Sequence, residues 1–143
     1  GVIQINFGAS FLDSLARENS KLLDSLEKIL GDKGLTSRDS AAQPIIDQFA
    51  QNHVELYSNV ERVADHIDRV VKLAGIDHVG IGSDYDGVGD TLPIGLKDVS
   101  DYPNLVYVLL KRGYSDADIE KICSKNVFRV WNKVIEVADK SAM

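Results

Sequence analysis

Apolar and polar positions alternate strictly over the first seven residues, with Ile3, Ile5 and Phe7 on one face and Val2, Gln4 and Asn6 on the other. A period of two predicts a β-strand with one apolar and one mixed face. Gly8-Ala9-Ser10 interrupts it. From Phe11 to Leu30 the period turns helical, with Leu12, Leu15, Leu22, Leu23, Leu26, Ile29 and Leu30 mostly three or four residues apart. Gly31 and Gly34 end that segment, and 35–43 reads as a polar linker. Pro44 then opens a second helix through Ile45, Ile46, Phe49, Val54, Leu56 and Tyr57, with looser spacing. A third begins after Ser58 or Asn59, either of which can cap it, with Glu61 in its first turn. Its stripe is Val60, Val63, Ala64, Ile67, Val70, Val71 and Ala74, and Gly75 stops it.

The second strand is Val79-Gly80-Ile81-Gly82-Ser83, whose glycines suit a crowded strand with close neighbours. It runs directly into Asp84-Tyr85-Asp86-Gly87, where Asp-Gly is turn chemistry. A carboxylate at the carboxyl end of a buried strand is where α/β enzymes place their chemistry. The same residues equally describe a structural turn in which Asp84 or Asp86 accepts hydrogen bonds from nearby amides. A calcium loop is excluded. In that register position one would be Gly82 and position twelve Pro93, so two oxygen ligands are missing. Asp65-His66-Ile67-Asp68 invites a metal reading, but adjacent residues on a helix point in different directions, so His66 is expected to be structural.

A loop follows over 88–100, then a helix over 102–112 closed by Gly113. Ser115-Asp116-Ala117-Asp118 is a capping-box start for the next helix, with Ile119, Ile122 and Cys123 expected to face inward. A last helix from Asn126 carries Val127, Val130, Trp131, Val134 and Ile135. These last two helices read as covers without chemistry. Strand, helices, strand is the pattern of a parallel crossover. Two strands among about six helices leave sheet edges that must be hidden or paired. The inventory suits a helix-rich α/β fragment of a (β/α)8 barrel better than a complete domain.

Composition narrows the function classes. The chain has 143 residues, 44% hydrophobic and 27% charged, as in a globular domain with a real core. A net charge of −6 argues against nucleic acid or an anionic membrane surface as partner. Cys123 stands alone, which excludes an intrachain disulfide and a cysteine-based zinc site, and it reads as a small core residue. No apolar run approaches the length of a membrane span. The sequence enters an apolar strand directly from Gly1 with no initiator Met, and we expect a fragment of a longer protein.

Several stretches together carry a resemblance. Gly-Val-Ile-Gln-Ile-Asn-Phe at 1–7, Val-Ala-Asp-His-Ile-Asp at 63–68, Ala-Gly-Ile-Asp-His-Val-Gly-Ile-Gly-Ser-Asp-Tyr-Asp-Gly at 74–87 and Gly-Leu-Lys-Asp-Val-Ser-Asp-Tyr-Pro at 95–103 resemble the renal (membrane) dipeptidase family of zinc metallopeptidases. Arg-Gly-Tyr-Ser at 112–115 and Lys-Asn-Val-Phe-Arg-Val at 125–130 are similar to its carboxyl-terminal helices. The resemblance implies a barrel of the amidohydrolase kind that holds two zinc ions and hydrolyses dipeptides. By position, Asp84 would be the catalytic carboxylate that ends the last strand and handles the proton of the metal-bridging water. Asp86 would be the turn residue beside it. The exit of the first strand, Asn6 to Phe11, would line the substrate pocket, with Phe11 where relatives can carry a substrate-contacting Tyr.

The family's metal ligands and its substrate-gripping Arg and His lie upstream of this chain's first residue, and His53, His66 and His78 occupy none of those positions. Arg69 stands where the family's helix motif commonly has a His. The resemblance therefore implies a single partial domain over 1–143, with 34–58 as a helical insertion between the strands. No zinc is expected in this chain alone, and no activity. Its partners would be a dipeptide in the complete enzyme and either further copies of itself or the missing amino-terminal part. The rival from another class is a stand-alone, non-catalytic α/β module that self-associates or binds a protein partner through exposed strand edges.

Overall fold

The alternating stretches at both ends of the crossover form the two strands. β1 (Ile3–Asn6) and β2 (Val79–Ser83) pair in parallel, with Ile3 opposite Val79, Gln4 opposite Gly80 and Ile5 opposite Ile81. An irregularity after Ile5 then sets Asn6 opposite Ser83. The glycine at 82 has a steric cause, because a methyl group there would lie 3.1 Å from the Gln4 carbonyl and the Ile5 oxygen. The computed structural model describes residues 1–14, 18, 21–89 and 91–141. Over these the chain is a helix-rich α/β fold around a two-stranded parallel sheet.

The helix expected over Phe11–Leu30 divides. α1 (Ala9–Leu12) ends where Asp13 turns extended, at φ −140° and ψ 126°, and α2 occupies Lys21–Gly31. Leu15 of the expected stripe lies outside the described residues. The cause of the division is that the stripe serves two cores. Leu12 packs with Ile5, Phe7, Val63, Ile67 and Leu105, whereas Leu26 and Leu30 pack with Ala42, Ile46, Phe49 and Leu56. The segment read as a polar linker contributes to that second core through Ala42, fully buried in a tight turn over Ser40–Ala42. α3 (Gln43–Asn52) carries Pro44 in its first turn and stops at His53, short of the expected Tyr57. A tight turn over Val54–Leu56 then brings Leu56 into the second core.

α4 (Val60–Ala74) follows the sequence pattern closely. The Asn59 side chain accepts from the Arg62 amide at 3.1 Å, and Gly75 ends the helix at φ 95°. Val63, Ala64 and Ile67 are buried against the sheet. The loop after β2 returns to this helix start, where the Val60 amide donates to Ile94 O and the Ile94 amide to Ser58 O. α5 (Tyr102–Lys111) and α6 (Asp116–Glu120) follow, the second opened by a full capping box in which Ser115 and Asp118 each accept the other's amide.

Between α6 and α7 (Asn126–Ser141) lies one wide π turn, Lys121–Lys125. It changes which residues face in. Ile122 is buried, as expected, but Cys123 is exposed, so the reading of it as a core residue is corrected. The extra residue in the turn rotates the following helix so that Asn126 enters the core instead. α7 is also not a simple cover: Phe128, Trp131, Val134, Ile135 and Val137 are all exposed.

Candidate functional site

Because the strands are parallel, both deliver their carboxyl ends to the same edge of the sheet. Asn6 closes β1 there, and Asp84 follows β2. Two consecutive residues, Ser83 at φ 45° and Asp84 at φ 69°, sit in the left-handed region. Such conformations cost of order 1–3 kcal/mol each in non-glycine residues and persist only where surrounding structure imposes them. Here the imposing contacts are visible. The Phe7 amide donates to Ser83 O at 2.9 Å, the Asp84 amide to Gly82 O at 2.7 Å, and the Gly87 amide to Asp84 O at 3.1 Å. Tyr85 anchors the turn from below. Its ring packs edge-on against Phe7 and Tyr102 at 5.7 Å each, and Phe7 meets Tyr102 at 6.3 Å. Burial, the neighbouring Tyr102 phenol and the carboxylates of Asp101 and Asp98 push the Tyr85 hydroxyl far above the ordinary phenol range, so it stays neutral.

The strained turn aims the Asp84 side chain back across the sheet edge. Asn6 Nδ2 donates to Asp84 Oδ2 at 2.5 Å, and Asn6 Oδ1 accepts from the Gly8 amide at 2.8 Å. Asp84 itself is exposed. Phe11, 65% exposed, lies over Gly8, where a methyl would sit 2.9 Å from its Cδ2. Val88 closes on the same glycine from the loop after the turn, with Cγ1 at 3.0 Å from that methyl position. Of the three residues singled out in the sequence, Asn6 and Asp84 meet directly, and Phe11 packs on Gly8, whose amide holds Asn6. Asp86 is exposed in the adjoining turn.

The histidines do not converge. His66 donates to Leu12 O at 2.9 Å, which makes it the structural residue expected. His78 contacts Gly1 O at 2.8 Å, and the His53 ring packs at a tilt against Phe49, with ring centres 4.4 Å apart. Among the described residues, no group of three or more His, Cys, Asp or Glu could hold a metal ion. A cavity of about 420 Å³ lies between α2 and the loop after the turn, lined by Leu23, Leu26, Leu30, Leu35, Tyr57 and Val88. Asp84 and Asn6 do not line it.

One cluster was missed in the sequence. Arg112 reaches Glu61 at 2.7 Å, Asp65 at 2.9 Å and Asp68 at 2.6 Å, and the Tyr114 hydroxyl donates to Asp68 at 2.7 Å. Burial works against the guanidinium charge, but hydrogen bonds to Glu61, Asp68 and Asp65 outweigh it and hold it protonated. Burial and the Asp68 bond likewise keep the Tyr114 phenol neutral. The available signal was three acids at three- and four-residue spacing on one helix face, which require a cation.

The family model for Membrane dipeptidase (Peptidase family M19) matches residues 1–143. The chain belongs to the membrane dipeptidase family. Dipeptidase tcpJ of Claviceps purpurea (strain 20.1) is 47% identical over 81 residues, which are 57% of this chain and 19% of that protein. Dipeptidase 3 of Mus musculus is 42% identical over 86 residues, 60% of this chain and 17% of that protein. The crystal structure of the probable dipeptidase PvdM from Pseudomonas aeruginosa matches with a TM-score of 0.58 at 32% identity, covering 92% of this chain and 36% of that one. This membrane dipeptidase family chain thus spans under a fifth of the two dipeptidases, and about a third of the solved structure.

Proposed function

We propose that this chain is the carboxyl-terminal part of a zinc-dependent dipeptidase. In this reading 1–143 is one partial domain, the last two strands and covering helices of a (β/α)8 barrel, with 34–58 inserted between the strands. The observation that carries the reading is the Asp84 carboxylate, exposed at the carboxyl end of β2 and gripped by the amide of Asn6 from the end of β1. Barrel enzymes assemble their sites at this end of their strands.

Asp84 is the general base and then the general acid. Its carboxylate takes a proton from the attacking water and returns it to the leaving amine of the dipeptide. Phe11 and Asn6 stand on the wall of the substrate pocket, and Phe11 offers a ring face but no hydroxyl. The two zinc ions of the complete enzyme would be held by the family's metal ligands, which the resemblance places upstream of this chain, and would lower the pKa of the attacking water. The isolated chain is accordingly inactive, and the dipeptide is a partner of the complete enzyme.

The test is Asp84→Asn in the complete enzyme. An amide is nearly isosteric with the carboxylate, so fold and zinc content should persist. It cannot accept the proton, so kcat should fall about 10²–10⁴-fold, with much less change in KM. Asp86→Asn should leave kcat near its starting value. If turnover survives Asp84→Asn but is lost in Asp86→Asn, the two carboxylates have been assigned the wrong way round.

A further inference from the structure

The two oxygens of the Asp84 carboxylate meet different residues, one by a hydrogen bond and one by close approach. Oδ2 accepts the Asn6 amide at 2.5 Å, and the Asn6 carbonyl oxygen is itself held by the Gly8 amide at 2.8 Å, so the Asn6 side chain has no rotational freedom to spare. Oδ1 lies over Gly87. A methyl group there would sit 2.1 Å from Oδ1 and 2.9 Å from Cγ, well inside contact distance. We infer that Asn6 and Gly87 form a cradle that fixes the direction of the Asp84 carboxylate, and that Asn6, from its place on the pocket wall, acts through Asp84 as a positioning residue. The inference rests on the reading of Asp84 as the proton-transferring group.

The glycine at 87 is then required for a reason separate from the turn. Gly87 is not among the positive-φ glycines, so alanine fits its backbone, and the obstructing atoms belong to the end of a side chain and not to backbone. Gly87→Ala should therefore fold normally and push the carboxylate off Asn6. A displacement of about 1 Å at a reacting group can cost about 10²-fold in rate. Loss of stability and loss of turnover separate in this variant, which a purely structural glycine would not allow.

Two measurements test it. In the chain itself, NMR should detect scalar coupling across the hydrogen bond between Asn6 Nδ2 and Asp84 Cγ. That coupling should vanish in Gly87→Ala while the thermal midpoint stays within about 2 °C, the range of a substitution that breaks no buried feature in a domain of this size. In the complete enzyme, with Ala-Ala as substrate, Gly87→Ala and Asn6→Ala should each lower kcat about 10²-fold and leave KM unchanged. Coupling that persists in Gly87→Ala, or a kcat unaffected by both variants where Asp84→Asn abolishes turnover, overturns the cradle. A rise in KM with kcat intact for Asn6→Ala overturns it as well and makes Asn6 a substrate contact. Turnover retained in Asp84→Asn overturns instead the assignment of Asp84 on which the cradle depends.

Discussion

Asn126 is the residue whose removal should cost this fold most for its size. It is 2% exposed, and its Nδ2 group donates to Ile76 O at 2.7 Å and to Val79 O at 2.8 Å. Those two carbonyls flank the entry to β2, so one amide pins the start of α7 to the strand that delivers Asp84. Asn126→Ala removes both donors and leaves the carbonyls in a site that the side chain had shielded from water. A buried acceptor left unsatisfied costs roughly 1–3 kcal/mol, so two should cost about 2–4 kcal/mol after partial relaxation. That is a large share of the 5–15 kcal/mol total of a typical domain, and it corresponds to a midpoint drop of roughly 5–12 °C at this chain length. Urea unfolding followed by circular dichroism gives the number directly, with the slope m expected to stay constant. Asn126→Asp is the sharper control. An ionised carboxylate only accepts, so it faces two carbonyls with no proton to share and should destabilise more than alanine does. A loss below about 0.5 kcal/mol for Asn126→Ala, the level of an ordinary surface substitution, would refute the reasoning.

Phe7 is fully buried between Tyr85 and Tyr102, so Phe7→Ala should cost about 3–5 kcal/mol and should loosen the strained Ser83–Asp84 turn above it; equilibrium unfolding with unchanged stability would contradict this. Hydrogen bonds from the Ser115 hydroxyl and amide hold the Asp118 carboxyl below its usual range. A depressed folded-state pKa contributes stability above the unfolded value and loses it as pH falls through the folded value. Asp118→Asn should therefore lower the thermal midpoint at neutral pH, with the difference fading as the wild-type carboxyl protonates in acid; a difference independent of pH would exclude the linkage. The isolated chain should self-associate, because among the described residues no third strand pairs with either outer edge and Ile3, Phe128, Trp131 and Val134 are more than half exposed. Light scattering that reports a monodisperse monomer at micromolar concentration would sink that expectation.

What the sequence determined by itself is what depends on near neighbours. The period of two at Ile3, Ile5 and Phe7, the Asn59 cap and Gly75 stop of α4, the Ser115–Asp118 capping box and the turn at Asp86-Gly87 are each written within a few residues. His66 was legible as structural for the same reason, since its flanking carboxylates point elsewhere on the helix. The family motifs placed Asp84, and the strand ending just before it marked it as a candidate. Tertiary structure decided the rest. Periodicity says that a face is apolar but not which partner covers it, so the stripe over 11–30 could not reveal that it serves two cores, nor could α7 reveal that its apolar face lies open. One extra residue in the Lys121–Lys125 turn exchanged Cys123 for Asn126 as the inward residue, and no local signal marks such a turn. The contacts that give the site its geometry join residues far apart in the chain. Asn6 reaches Asp84 across 78 positions, and Arg112 reaches Glu61 across 51. Donor and acceptor identities can be read from the residues alone; which donor meets which acceptor follows only once two strands lie parallel with their ends together.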